Sequence, residues 1–155
     1  MTAQVHEYLR LDGKRCRMAC ELYLPESAPG LVYLKGKQYR NPCSACWRGY
    51  IGFWVIKNDR LFLRKVIGNV QGSFTPPLFA DWFSDEIRIP QGEQLLYIHS
   101  EFESIYESDL FMEIKNGVVQ KRWVVKSTYD PEEQKRIMEA DLNEPFPTSP
   151  EPYLP

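Results

Sequence analysis

Four cysteines are the residues best suited to chemistry in this chain: Cys16 and Cys20, then Cys43 and Cys46 within "NPCSACWRGYIGFWVI", residues 41–56. Four thiolates are a possible tetrahedral zinc set, and Cys-x-x-Cys is also the spacing of a redox pair. Strand geometry speaks against zinc. Residues 14–24, "KRCRMACELYL", alternate as one strand, with Cys16, Met18, Cys20, Leu22 and Leu24 on one face. Residues four apart on one strand face stand about 13 Å apart, whereas a zinc–sulfur bond is about 2.3 Å long. A sharp bend at Met18-Ala19 would be required, and no Gly or Pro supplies one there. A redox pair needs a helix N-terminus to lower its thiol pKa, and the residues after Cys46 read as a strand. Cys43 and Cys46 are therefore expected as small, reduced residues at a strand's entrance. No metal and no cofactor is expected.

Carboxylates form the next constellation. In "LFADWFSDEIRI", Asp81, Asp85 and Glu86 flank Trp82, and the acidic run "SEFESIYESD" follows. Two carboxyl groups facing one cleft about 5–10 Å apart would suit sugar hydrolysis, with Glu101 as a fourth acid. The same acids would equally suit a basic partner, or merely surround a packed Trp. The two histidines, His6 and His99, show no metal-ligand spacing. There is no Gly-x-Ser-x-Gly and no phosphate loop ending in Lys-Ser/Thr. No catalytic residue is assigned. The candidate binding residues are Arg48, Asp81, Trp82, Asp85, Glu86, His99, Tyr106 and Glu107.

A third constellation is basic. Arg10, Lys14, Arg15, Arg17, Lys35, Lys37, Arg40 and Arg48 are interleaved with Tyr33, Tyr39 and Trp47. Cations beside rings suit a single-strand nucleic-acid groove. The net charge of −2 and the lack of a nucleic-acid motif place this below an ordinary charged surface. That total conceals asymmetry. Residues 1–75 hold 12 Lys/Arg against 5 Asp/Glu, and residues 76–155 hold 7 against 16. Either the halves neutralise each other on folding, the expected outcome, or the protein carries a basic and an acidic face.

The elements that must position these residues are mostly strands. The 14% aromatic content and 12 prolines disfavour an all-helical chain. Asp12-Gly13 and Asn116-Gly117 sit between alternating runs, as two-residue hairpin turns do. Two-residue pairing sets Arg10 opposite Arg15. It also sets Ile114 opposite Val119, Met112 opposite Lys121, Leu110 opposite Trp123, Glu113 opposite Gln120 and Phe111 opposite Arg122. "YIGFWVI" is apolar on both faces, like a covered central strand. "GNVQGSFTPP" reads as a connection, "LFADWF" as a helical turn or packed loop, and "PQGE" as a break between two strands. "DPEEQKRIMEADL" reads as a helix, with Asp130 as N-cap and Pro131 at its first position.

Residues 1–129 are thus expected to form one β domain, 130–142 a surface helix, and 143–155 a proline-rich tail. The fold class is mainly β: a single antiparallel sandwich or partly open barrel with seven to nine strands. No run reaches the roughly 18 apolar residues of a membrane span, and the first residues do not resemble a signal peptide. A cytoplasmic location is expected.

Arg48-Gly49-Tyr50, Trp54, Ala80-Asp81-Trp82-Phe83, Ile89-Pro90-Gln91-Gly92 and Tyr106-Glu107 together resemble a family of small, uncharacterised bacterial β-rich proteins. The similarity spans roughly residues 47–119. It implies a β fold and a cytoplasmic bacterial origin, and carries over no activity. Phe53 and Val55 are more hydrophobic than the resemblance implies. The function expected is non-enzymatic binding of a protein partner, for instance as an inhibitor or immunity protein. A carboxylate-dependent sugar hydrolase and nucleic-acid binding through the basic half are the alternatives.

Overall fold

The computed structural model describes residues 3–35, 43 and 45–143. Lys37, Tyr39, Arg40 and the tail from 144 onward, all part of the sequence expectations, lie outside the described residues. Nine strands form one sheet: β1 (Glu7–Leu11), β2 (Lys14–Met18), β3 (Val32–Tyr33), β4 (Tyr50–Lys57), β5 (Arg60–Gly68), β6 (Val70–Phe79), β7 (Asp85–Leu96), β8 (Ile105–Lys115) and β9 (Val118–Lys126). Among the described residues one helix, α1 (Pro131–Asn143), follows. The spatial order is β2-β1-β4-β5-β9-β8-β7, with β6 on β5 and β3 on β6. The sheet is not closed, but it curls until its two ends meet at one backbone hydrogen bond, from Ala19 N to Arg88 O (2.8 Å).

Three hairpins are set by turns whose two central residues both have positive φ, as the type I′ turn requires: Asp12-Gly13, Asn58-Asp59 and Asn116-Gly117. The first pairs Arg10 with Arg15, as expected. The like charges are eased because the Arg15 guanidinium lies 5.9 Å from the Tyr8 ring centroid. The third begins in the expected register, with Ile114 opposite Val119, and then departs from it. A bulge at Gln120 shifts every later pair by one residue. Met112 meets Arg122, Leu110 meets Val124, Glu113 meets Lys121 and Phe111 meets Trp123. The shift joins opposite charges, Glu113 to Lys121 at 3.4 Å. It also stacks Phe111 on Trp123, with centroids 5.6 Å apart.

Four other expectations change. The 14–24 segment is not one strand: β2 ends at Met18, and the chain bends at Ala19 and Cys20 to reach β7. Residues 70–79 are strand β6, not a connection. Its prolines are accommodated in a bulge. Leu63 pairs with Leu78 and Lys65 with Ser73, so Pro76 and Pro77 fall outside the ladder. "PQGE" likewise lies inside the continuous strand β7: Pro90 and Gln91 pair with Asp109 and Ser108, and a bulge follows at residues 92–93, with Gly92 at φ 79. Finally, β1 and β4 run parallel, whereas the other strand pairs among the described residues are antiparallel; a parallel pair needs a crossover connection rather than a tight hairpin.

The core lies on the concave side. Leu9, Met18, Trp54, Leu61, Leu63, Phe83, Ile87, Ile89, Met112 and Ile114 are all buried there. Helix α1 buries none of its residues. The expected cap is present, Glu132 N donating to Asp130 Oδ1 at 3.0 Å. No helix among the described residues is long and apolar enough to cross a membrane.

Candidate functional site

The convex side of β2-β1-β4-β5-β6 is where charged and aromatic residues converge. Strand register arranges them in rows. One row runs Arg17, Tyr8, Phe53, Lys65, Ser73 across the five strands. The next runs Arg15, Arg10, Val55, Phe62, Phe79. Lys57 faces Arg60 beyond them. Tyr8 and Phe53 stack at 5.2 Å with an interplanar angle of 11°. Phe62 and Phe79 meet at 5.6 Å, with Arg60 over the Phe79 ring.

The charge balance here is one-sided. Among the residues of these five strands the only acid is Glu7, and it points into the core. Two hollows are set in the surface. Arg10, Arg15, Arg64, Tyr8 and Phe53 line a shallow one. Arg10, Val55, Lys57 and Arg122, together with Asp12 and Asp59, line a larger one of about 510 Å³ beside the turns. Arg10 joins the two. The acids at this end, Asp12 and Asp59, are occupied by Arg122 at 3.7 and 3.1 Å.

Behind this face sits a buried charge. Glu7 is 0% exposed and accepts from Arg48 Nε (3.0 Å), Gly52 N (3.0 Å) and Trp54 Nε1 (2.5 Å). Burial pushes its carboxyl above the ordinary range, against the pull of Arg48 and the N–H donors. Gly52 is required there, because a Cβ would fall 2.4 Å from the Trp54 indole nitrogen. Arg48, named from sequence as a binding residue, is instead this buried partner. It also donates from Nη1 to Val5 O (2.9 Å). Glu7 was missed, although its position two before Leu9 and four before Leu11 marks it as inward-facing.

The other candidates separate. Trp82 packs near Trp54 at 6.3 Å and donates to Tyr23 O (2.9 Å), a packing role. Asp81 is exposed, Asp85 Oδ1 accepts from Glu86 N (2.7 Å), and Glu86 pairs across the ladder with Glu113. Glu101 is near Gln94, at the opposite end of β7 from Asp85. Asp85 and Gln94 are nine strand positions apart, roughly 25–30 Å. The four acids do not share a cleft. His99 Nδ1 bonds Tyr97 OH (2.7 Å) on the surface. The Glu107 side chain packs under Gly92. Tyr106 lines a hollow near Tyr8 and Arg17.

The four thiols are free. Cys46 is buried at the entrance of β4, with Sγ 3.2 Å from Tyr50 O. Burial raises the Cys46 thiol and pushes Cys20 up to about 12, the opposite of what a redox nucleophile needs. Among the described residues no three His, Cys, Asp or Glu are placed to hold a metal ion.

No family model, curated protein or solved structure matches this chain.

Proposed function

We propose that this protein is a non-enzymatic, cytoplasmic binding protein whose convex β2-β1-β4-β5-β6 face grips single-stranded nucleic acid. The observation that carries this reading is the composition of that face: rings in register, flanked by Arg and Lys, on strands with no outward-facing acid. Phosphates pair with cations, and bases stack on rings without regard to sequence. The ordering differs from the one the total charge suggests. Net charge is a sum over the chain, whereas a ligand meets one face.

Anisotropy of a labelled single-stranded oligonucleotide, titrated with protein at several salt concentrations, tests the reading. Binding that weakens steeply with salt is expected. No binding, or binding indifferent to salt, contradicts it.

A protein partner is the second reading, favoured by the outer edge of β9. Beyond Val119 that edge pairs with no strand among the described residues, and Val124 and Val125 are exposed beside it. Such an edge takes an added strand through backbone hydrogen bonds. A peptide bound there would be insensitive to loss of the convex cations.

A further inference from the structure

At one end of the basic face a hollow of about 330 Å³ opens between residues 3–6 and the far ends of β7 and β8. Tyr8 and Arg17, partners in the β1–β2 register, belong to both the face and the hollow. Its walls are rings. His6 stacks on Phe102 with centroids 5.6 Å apart, and Tyr8, Tyr97 and Tyr106 add three more rings beside Ala3, Gln4, Val5 and Ser104. Glu101 and Gln94 supply a polar edge.

The far wall is held in place from behind. Arg88 donates to Phe102 O (2.6 Å) and Ser104 O (3.0 Å), and its Nε meets Asp109 at 3.0 Å. Gln4 N donates to Glu101 O (2.7 Å), and Glu101 itself has φ 42, a conformation few non-glycine residues adopt. The strained backbone falls at a residue that borders the hollow.

Ring walls, one guanidinium and one carboxylate match a single unstacked nucleotide. Rings pack against a base, and Arg17 belongs to both the hollow and the cationic face. A carboxylate accepts N–H donors from the base edge. Guanine offers two adjacent donors, N1–H and N2–H, to its two oxygens; uracil offers one. We infer that this hollow takes one guanine nucleotide of the bound strand, base against the ring-lined wall, donor edge on Glu101 and phosphate at Arg17. The inference rests on the nucleic-acid reading of the convex face.

Calorimetric titration of the full chain with GMP and with UMP tests it, alongside anisotropy with a labelled oligouridylate. GMP is expected to bind more tightly than UMP. Glu101→Gln should cost about tenfold in GMP affinity, the scale of one bidentate base contact, and clearly less in oligouridylate affinity, because uracil offers that carboxylate a single donor. Arg17→Met should weaken both mononucleotides alike. Both side chains are exposed, so neither change threatens the fold. Equal affinity for GMP and UMP, or an unaltered GMP affinity in Glu101→Gln, overturns the inference. Should GMP bind as expected and oligouridylate not at all, the reading of the face falls and the hollow stands as a guanine-nucleotide site.

Discussion

Glu7 holds a carboxylate where no water reaches it, and Arg48, with a side chain only 4% exposed, is its counterion. Removing one charge strands the other in the interior. Glu7→Gln is expected to lower unfolding free energy by about 3–5 kcal/mol, measured by urea denaturation; a loss below about 1 kcal/mol would place the pair among weak surface bridges. His6 behaves in the opposite sense to a surface histidine. Burial first, then Arg17, Arg88 and Arg48, push it down from 6.5 to about 4. As pH falls through 6.5 the unfolded chain takes up a proton that the folded chain refuses until about pH 4. The stability His6 supplies is therefore complete above 6.5 and lost between 6.5 and 4. Unfolding free energy should fall more steeply over that window in the wild type than in His6→Phe, and parallel profiles would refute the assignment. Alternation makes Glu7 legible, since a charged residue at an inward position demands a partner. Nothing local names that partner: Arg48 lies 41 positions away and meets it only through the parallel β1–β4 pairing.

At the scale of elements, the turns were legible and the bulges were not. Asp-Gly and Asn-Gly announce a hairpin because they tolerate positive φ cheaply. Bulges depend on what a strand meets across the sheet, which no local pattern encodes. Gln120 illustrates this: the extra residue lets Phe111 reach Trp123 and Glu113 reach Lys121, gains visible only once β8 and β9 pair. The β6 prolines misled for the same reason, since their place is a bulge. Two turn glycines allow a quantitative contrast. Gly117 has φ 80, and a Cβ there would fall 2.6 Å from Ala80 O, whereas Gly13 has φ 78 with nothing within 4 Å. Gly13→Ala carries only the backbone cost, about 1 kcal/mol. Gly117→Ala adds a clash with the Ala80–Phe83 turn and should lose about 1–3 kcal/mol more. Equal melting temperatures for the two variants would show that the turn does not press on Gly117.

For the whole molecule the decisive feature is how charge is distributed over one sheet. The surplus of cations in residues 1–75 is legible in the sequence, and so is the surplus of acids after it. Their fates were not, because cancellation and segregation give the same totals. Glu7–Arg48 and the Arg122 pairs cancel locally, while the convex side of β1, β2, β4 and β5 keeps its cations without facing acids. The acids of β7 and β8 remain on the other part of the sheet. The sequence candidates around Trp82 scatter because their nearness along the chain follows from one packed turn, not from a shared cleft. The residues that do converge, Tyr8, Arg10, Arg15, Phe53 and Arg64, come from four strands and are united only by register.

The most direct test of the central claim is the salt dependence of single-strand affinity for the wild type and for a variant with Arg10, Arg15 and Arg64 each changed to Gln. If about four phosphates are contacted, log K should fall against log salt with a slope of about −3, and the variant should lose about 2 of that slope. Identical slopes for the two proteins would contradict the assignment of the convex face as the binding surface.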